Sequence, residues 1–349
     1  MKKRKLQVLL FFTCVPYIAA LLAPALSPYD FAQQNRDLPF ASPTHLHFRA
    51  AQGSFHLRPS VCLLTPSANM FGVYDEDAQS CVPVHFFVPG QEYLVLGFFK
   101  SHLHLFGVSE PTKIFLLGTD RYGRDVFSRL LYGSRISLLA GLLATFLSLG
   151  IGTILGATAG YYGGWSDAVI MRCAELFLAL PWLYLLFAIR AFLPLHIAPS
   201  QAFVLLVAVI GLVGWARPAR LIRGIVLSAK ERHYVLAARV FGGSDFYLMR
   251  RHILPQTYSV LLTQAALLIP QYILAEVTLS FLGLGVGEPA ASWGSMLATL
   301  QQYAVLVSYW WMWIPGIILI PVFLTYLLLA GALQARADCT APGPRGVQA

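Results

Sequence analysis

Cysteine and histidine side chains, which can form covalent bonds or bind metals, are concentrated between residues 45 and 104. Cys62 and Cys81 could form a disulfide in an oxidising compartment or remain as two buried thiols, and we favour the disulfide. Alternate residues of a β-strand share one face, so histidines two residues apart could bind a transition metal together. Two such pairs occur, His45 with His47 and His102 with His104. Solvent-facing histidines are the more common outcome of this spacing, so we predict no metal site.

Sequence motifs of the common enzyme classes are missing. The sequence has no Gly-x-x-x-x-Gly-Lys-Ser/Thr run, so the chain should not bind ATP through a P-loop. His-Glu-x-x-His, Gly-x-Ser-x-Gly and Cys-x-x-Cys are also missing. We therefore predict no catalytic residue and no cofactor bound by this chain.

The composition shows which class of protein the chain belongs to, because charged residues are few. Of its 349 residues, 57% are hydrophobic and only 12% are charged. Soluble domains carry about twice that share of charge, and disordered or coiled-coil chains carry more still. The sequence therefore predicts a polytopic membrane protein with a substantial part outside the bilayer.

Six apolar segments are candidates for crossing the membrane, which takes about 20 residues each. They are Leu6–Leu26, Ile136–Tyr161, about Asp167–Leu195, Ala202–Trp215, about Thr257–Leu284 and Tyr309–Leu333. The first follows a basic tetrad and could be a cleaved signal peptide, but its long apolar run favours an uncleaved signal anchor. The second carries Gly152, Gly156 and Gly160, a spacing that lets helices approach closely or simply reflects the frequency of glycine in membrane helices.

The net charge of +9 is unevenly distributed. Four basic residues lie at positions 2–5, and eight basic against two acidic residues lie between 217 and 252. The 27–135 segment has nine of each. Lysine and arginine concentrate on the cytoplasmic side of membrane proteins. The N-terminus and the 217–252 loop should therefore be cytoplasmic, the 27–135 segment outside, and both termini inside.

Few ionisable residues lie within the apolar segments: Arg172, Glu175, Arg190 and Glu276. Secondary transporters and proton pumps usually carry carboxylates deep in the helix bundle. Glu276 is the single candidate for such a group. It follows the inner end of its segment by ~20 residues, which places it near the outer face. A structural or gating role is therefore expected for Glu276.

The basic loop contains a short helix with one marked face. Tyr234, Ala237, Ala238 and Phe241 have the spacing of one helix face, and Gly242 should end the helix. Ser244 or Asp245 can cap a second helix that runs to Arg251, and Pro255 then leads into the fifth apolar segment. The first helix could insert into a cleft of a partner protein or lie on anionic lipid.

Several of these motifs together resemble one family. Tyr234-Val-Leu-Ala-Ala-Arg-Val-Phe-Gly-Gly-Ser-Asp245, followed by Arg251-His-Ile-Leu-Pro255, is similar to the EAA loop of ABC importer permeases. Leu117-Gly-Thr-Asp120 with Gly123-Arg-Asp125, and Leu279-Ser-Phe-Leu-Gly-Leu-Gly-Val286 with Ser292-Trp-Gly294, resemble the C-type permease of the dipeptide/oligopeptide/nickel branch. The resemblance extends over residues 117–333.

The resemblance implies roles for three sets of residues. The residues expected to couple the chain to an ATPase are Tyr234, Ala237, Ala238, Phe241, Gly242, Ser244, Asp245 and Pro255. The family motif on the outer side comprises Gly118, Thr119, Asp120, Gly123, Arg124 and Asp125. The residues expected to have gating or structural roles are Glu276, Ser280, Phe281, Gly283 and Gly285. The chain departs from the family at Leu236, where the signature has glutamate, and in its C-terminal tail.

The resemblance also implies an architecture and partners. The fold would be all-α, with the six transmembrane helices of a type I ABC importer permease in the inner membrane. A second, B-type permease, two ATPases that bind ATP and Mg, and a periplasmic binding protein would complete the transporter. Peptides are the substrate that the resemblance favours most, and nickel or other small solutes are favoured less. A secondary transporter is the alternative.

One part of the chain has no counterpart in this resemblance. About 65 residues, roughly 47–115, separate the short linker from the motif that begins at Leu117. Short β-like runs with Gly53 and Gly90 at the expected turns predict a small β-rich domain that contacts the binding protein or covers the entrance. The domains are then an anchor helix (1–26), a periplasmic linker and insert (27–116), the transmembrane domain (117–333, with the coupling loop at 217–255) and a cytoplasmic tail (334–349).

Overall fold

The computed structural model describes residues 2–49, 55–67, 73–95, 99–194 and 197–340. Gly53, predicted at a turn, and the tail after residue 340 lie outside these ranges. Contacts divide the chain into two compact units. The helical unit comprises Met1–Thr13, Leu139–Leu279 and Pro321–Ala349, and the mixed unit comprises Cys14–Leu138 and Ser280–Ile320.

Helices dominate the described part of the chain. The first are α1 (Lys2–Leu21) and α2 (Ala23–Leu26), and after five strands come α3 (Val126–Tyr162), α4 (Gly164–Ala179), α5 (Trp182–Phe192), α6 (Pro199–Gly214) and α7 (Ala216–Lys230). The chain continues with α8 (His233–Val240), α9 (Asp245–Leu248), a π-helical turn (Met249–Ile253) and α10 (Leu254–Phe281). It ends with α11 (Trp293–Leu297), α12 (Tyr303–Ser308) and α13 (Ile314–Thr340), and 3₁₀ turns precede α12 and α13.

Four helical stretches in the described ranges are long and apolar enough to cross a membrane. They are Arg4–Leu21, Val126–Tyr162, Asp245–Phe281 and Trp310–Arg336. Two bent pairs pass the same test only when each is taken together, α4 with α5 and α6 with α7. The third apolar segment, expected as one helix, is therefore two helices at 93°. The reason is Pro181 and the extended backbone of Leu180 (ψ 139°), which end α4.

The predicted 217–255 loop is also more helical than expected. α7 occupies its first part, buries Ile222, Val226 and Ala229, and ends at Lys230. At the other end, the helix that begins at Asp245 runs through the π-helical turn into α10 without a break. Pro255 therefore lies inside this continuous helix, directly after the π-helical turn.

The glycine row of α3 lies against α7 within the helical unit. A Cβ at Gly152 would lie 2.7 Å from Pro218 Cβ, and one at Gly156 only 2.3 Å from the carbonyl oxygen of Ala219. A Cβ at Gly160 would lie 2.9 Å from the carbonyl oxygen of Arg223. The four-residue spacing thus serves close packing of two helices, one of the two alternatives left open by the sequence.

The mixed unit contains two antiparallel sheets. One has the order β1 (His47–Arg49), β2 (Phe55–Pro66), β3 (Tyr74–Pro83), and the other pairs β4 (His85–Val95) with β5 (Phe99–Gly107). Cys62 and Cys81 are opposite each other on β2 and β3 and form a disulfide. Gly90 lies inside β4, beside an irregularity in the ladder, and not at the predicted turn.

Candidate functional site

The segment 231–248 presents an exposed, largely apolar surface, which we call the exposed loop. Phe241 is 90% and Val240 85% exposed, and Tyr234, Leu236, Phe246 and Tyr247 are exposed as well. An uncovered cluster of this kind marks an interaction surface. Of the predicted coupling face, Tyr234, Ala237 and Phe241 are exposed, whereas Ala238 packs against the core.

A buried base supports the exposed loop. Val235 of α8 and Leu248 of α9 are fully buried and pack with Ile222, Val226 and Ile253. α8 therefore buries one face and presents the other, which keeps the apolar surface in place. Gly242 ends α8 with a φ of +86°, a conformation that favours glycine, and no atom of the described residues lies within 4 Å of a Cβ built there.

A polar network joins the exposed loop to the end of α3. The Tyr161 hydroxyl donates to Oδ1 of Asp245 at 2.5 Å and accepts from Nη2 of Arg239 at 3.0 Å. Ser244, not Asp245, caps α9, because its hydroxyl oxygen accepts from the N–H of Tyr247 at 3.3 Å. Of the two residues predicted as the cap of this helix, Ser244 is therefore the one that caps it, and Asp245 is available to Tyr161.

The 118–125 motif, predicted from the family resemblance, folds around backbone contacts of the mixed unit. Gly118 and Gly123 both have a φ of +69°, and a Cβ at Gly123 would lie 1.8 Å from the carbonyl oxygen of Asn35. The Thr119 hydroxyl accepts from the N–H of Ala41 at 2.7 Å and donates to the carbonyl of Leu38 at 2.6 Å. The motif thus holds the linker that precedes the insert.

Four side chains of the mixed unit, Asp120, Arg124, Arg129 and Glu288, form a charged cluster. Arg124 donates through Nη1 and Nη2 to the two carboxylate oxygens of Glu288, at 2.6 and 3.1 Å, and through Nε to Asp120 at 2.7 Å. Arg129 lies 3.5 Å from Glu288. Burial raises the pKa of Glu288, but the hydrogen bond from Arg124 and the neighbouring guanidinium charges outweigh it and lower that pKa overall.

Asp125 lies beside this cluster, and its pKa is shifted in the opposite direction to that of Glu288. It is buried, and its Oδ2 accepts from the N–H and the hydroxyl of Ser128 at 2.9 and 2.6 Å. Burial outweighs these hydrogen bonds and raises the pKa of Asp125 to about 6. One carboxylate of the charged cluster, Glu288, is therefore held ionised, whereas the neighbouring Asp125 of the motif is more easily protonated.

The expected gating or structural residues lie in and after α10. Glu276 is fully buried within the helical unit. In the mixed unit, the N–H of Gly283 donates to the carbonyl of Ser280 at 3.1 Å, and a Cβ at Gly285 would lie 1.9 Å from Ser280 Oγ. Phe281 is the last residue of α10. The glycines therefore shape the end of this helix.

The histidines of the insert take up different contacts. Nε2 of His47 lies 2.7 Å from Oε2 of Glu76, and the possible metal-ligand atoms of His47, Glu76 and Cys62 all lie within 4.8 Å of one another. The Cys62 sulfur, however, is bonded to Cys81. His104 is buried between the carbonyls of Ser27 and Gln91. The side chain of His56 lies outside the described residues.

Sequence reasoning missed Glu288 and Tyr161. The partner of Glu288, Arg124, is 164 residues away in the sequence, and no motif around residue 288 marks that carboxylate. Tyr161 was placed only at the end of an apolar segment. The basic loop begins 56 residues after Tyr161 in the sequence, so no local pattern predicts their contact.

Comparison with known proteins places this geometry in a family. The model of the family described as "Binding-protein-dependent transport system inner membrane component" matches residues 152–338. The dipeptide transport system permease protein DppC of Bacillus subtilis is 36% identical over 229 residues, which cover 65% of this chain and 69% of that protein. The chain belongs to this family.

Further relatives carry similar names. The probable D,D-dipeptide transport system permease protein DdpC of Escherichia coli is 37% identical over 233 residues, 67% of this chain and 76% of that protein. The glutathione transport system permease protein GsiD of Pectobacterium atrosepticum is 36% identical, over 65% of this chain and 73% of that protein. A solved structure described as "Crystal structure of an amino acid ABC transporter with histidines" aligns with a TM-score of 0.41 and 21% identity, covering 60% of this chain and 94% of that chain.

Family membership confirms the resemblance found in the sequence. The permease is an inner membrane component of an ABC importer and not an enzyme, and the secondary-transporter alternative is not supported. The exposed loop lies within the matched residues, and the 118–125 motif lies before them.

Proposed function

We propose that the permease is the C-type subunit of a peptide importer. The names of its relatives support this, since they are permease subunits for dipeptides, D,D-dipeptides and glutathione. Its partners would be a B-type permease subunit, two ABC ATPases that bind ATP and Mg, and a periplasmic binding protein. Nickel and other small solutes are weaker candidates, because the relatives described above are named for peptides and glutathione.

The topology that we propose has six spans with both termini in the cytoplasm. Each bent pair, α4 with α5 and α6 with α7, then counts as one span in addition to the four long helices. Charge supports this orientation, since the N-terminus and the 217–252 loop are strongly basic and the 27–135 segment is neutral. The two sheets would then lie in the periplasm, where they could contact the binding protein or cover the entrance.

The single observation that carries the coupling proposal is the exposed apolar face of α8. The opposite face of α8 packs in a buried apolar cluster, and hydrogen bonds of Tyr161 fix the exposed loop to α3. A short helix seated in a groove of an ATPase would turn movement of the groove into movement of α3. Residues 234–245 would transmit this movement, while ATP chemistry stays in the partner subunits.

An ATPase-capture experiment tests this proposal. Phe241→Ala removes a side chain that is 90% exposed, so it should leave the fold intact and weaken retention of the ATPases on the purified permease pair. Trp165→Ala is the matched control, because Trp165 is 82% exposed and would lie on the same side of the membrane. Equal retention in wild type and Phe241→Ala would contradict the proposal.

Two substitutions of Gly242 test whether ATPase retention depends on the backbone conformation of the exposed loop. Gly242→Asn tolerates a positive φ, whereas Gly242→Val does not and also projects a bulky group where the structure has open space. We expect the valine variant to insert in the membrane but lose ATPase retention, and the asparagine variant to keep it. Normal peptide uptake by Gly242→Val would count against docking at this position.

A further inference from the structure

A cavity of about 240 Å³ lies in the helical unit beside the break between α4 and α5. Apolar side chains form most of its wall, and two polar side chains, Arg217 and Gln271, also line it. The aromatic rings of Trp182 and Tyr272 lie 6.5 Å apart on another side. The cavity therefore combines an aromatic wall with a cation and an amide, a combination suited to a small polar group on an apolar ligand.

Two irregular stretches of helix border this cavity. Leu180 has an extended backbone between α4 and α5, which meet at 93°. α6 and α7 meet at 43°, and Pro218 has no N–H to donate to the carbonyl of Gly214, four residues earlier. Membrane transporters place substrate sites where helices are broken, because only there can backbone groups face a cavity.

Arg217 is the charged residue that lines this cavity, and it lacks the partners that several other charged residues of the helical unit have. Asp167 forms an ion pair with Arg223, Arg172 forms one with Glu175, and Lys230 donates to the carbonyl of Gly160. In the described part of the chain, Arg217 forms no hydrogen bond or ion pair. An unneutralised guanidinium at a helix break attracts an anionic group.

The aromatic wall is fixed in place. The hydroxyl of Tyr272 lies 2.9 Å from Ser148 Oγ, and a Cβ at Gly214 would lie 1.9 Å from that hydroxyl. Tyr272 therefore needs glycine at position 214 to occupy its place. A wall that is already ordered spares a ligand the entropic cost of ordering it.

We propose that this cavity receives the C-terminal carboxylate of a peptide in transit, with Arg217 and Gln271 as its polar contacts. A planar guanidinium binds a carboxylate through two hydrogen bonds, and an amide can add a third. The cavity is smaller than the ~300–1,000 Å³ typical of pockets for whole ligands, so it holds one end of the peptide. This inference rests on the proposed transport of peptides.

Thiol protection measures occupancy of the cavity directly. The reporter is Leu178→Cys, which lines the cavity, in the assembled transporter with Cys14, Cys173 and Cys339 replaced by serine. The probes are a mixture of di- and tripeptides at millimolar concentration and the same mixture with amidated C-termini. The free acids should slow maleimide modification of the reporter by roughly threefold, the effect of a ligand at about twice its Kd.

The variants Arg217→Gln and Arg220→Gln complete the test. Arg220 lies on the same helix and is exposed, but it does not line the cavity, so Arg220→Gln should be protected like the parent. Arg217→Gln should lose protection, and the amidated peptides should protect neither protein. Equal protection by acids and amides, or protection that survives Arg217→Gln, would overturn the inference.

Uptake of the same peptide mixture by liposomes that contain the transporter and its binding protein separates the two proposals. Uptake without protection at residue 178 overturns the cavity inference alone and leaves the importer function standing. No uptake of any peptide overturns the peptide function and this inference with it.

Discussion

The hydroxyl of Tyr161, at the end of α3, donates a 2.5 Å hydrogen bond to Oδ1 of Asp245, at the start of α9. The same hydroxyl accepts from Arg239. One phenol thus holds both helices of the exposed loop against α3. If the loop is where the ATPases act, this contact lies on the route by which their movement reaches the permease.

Tyr161→Phe should uncouple ATP hydrolysis from transport. The change removes both polar contacts and keeps the ring, and a hydrogen bond to a charged group contributes about 1.5–3 kcal/mol. The fixed position of the loop should therefore lose at least about tenfold in population. The measurement is peptide uptake per ATP hydrolysed, with Tyr162→Phe as the control because the Tyr162 ring is exposed. A wild-type ratio in Tyr161→Phe would show that the contact does not couple.

The packing of α3 on α7 predicts a contrast between two glycines of one helix. A side chain at Gly156 meets the backbone of Ala219 at 2.3 Å, whereas none of the described atoms lies within 4 Å of a Cβ at Gly150. Gly156→Leu should destabilise the helical unit by about 1–3 kcal/mol, the usual cost of overpacking, and Gly150→Leu should not. Thermal unfolding in detergent measures both variants, and equal midpoints would contradict the close approach.

Asp125 predicts a pH dependence of stability. Its pKa is about 6 in the folded protein, above the ordinary value of 3.8, so the folded state binds the proton more tightly. Protonated Asp125 therefore stabilises the fold below that ordinary value, and this contribution, roughly 2–3 kcal/mol, is lost as pH rises through about 6. Between pH 5 and pH 7, the unfolding midpoint of wild type should fall relative to that of Asp125→Asn. A difference that does not change with pH would refute the assignment.

Glu288 predicts the opposite sign in a lower pH window. Its pKa is lowered, so its contribution is present above the ordinary range of glutamate and is lost as pH falls through the lowered pKa. Glu288→Gln should cost about 1 kcal/mol at neutral pH, since the carboxylate is half exposed and partly screened. Wild type and variant should begin to converge in unfolding midpoint below pH ~4, near the ordinary glutamate pKa, and should coincide only below the lowered pKa of Glu288.

The Cys62–Cys81 disulfide predicts a thiol count. Unfolded, non-reduced protein should shift on a gel with a maleimide polymer only through its other cysteines, and prior reduction should add two modifications. The bond closes a loop with a sequence separation of 19, so its removal should destabilise the β2–β3 pairing by about 3 kcal/mol. Modification of both cysteines without reduction would contradict the bond.

The helical elements were largely predictable from sequence, but the breaks between them were not. Pro181, Pro270 and Pro321 all lie in apolar segments. Pro270 and Pro321 lie inside continuous helices, whereas Pro181 follows the extended Leu180. Neighbouring packing decides whether a helix absorbs the missing hydrogen bond, and a single sequence does not show that packing.

The strands and the charged cluster show the same limit. β3 contains Asp75, Glu76 and Asp77, which strand propensity disfavours, and it forms because β2 and the disulfide hold it. The pattern of the exposed loop is local, so its face was predictable from residues 234–241. Arg124 and Glu288 are far apart in sequence, and their pairing exists only in the folded chain.

The position of the two sheets in the chain has a consequence for biogenesis. Every described strand and both bonded cysteines precede Val126, the first residue of α3. They therefore leave the ribosome before α3 and every helix after it, and domains generally fold in the order of synthesis. The β-rich part can therefore fold while the helices after it are still being made, and in the proposed topology the Cys62–Cys81 bond would then form with the oxidants of the outer compartment.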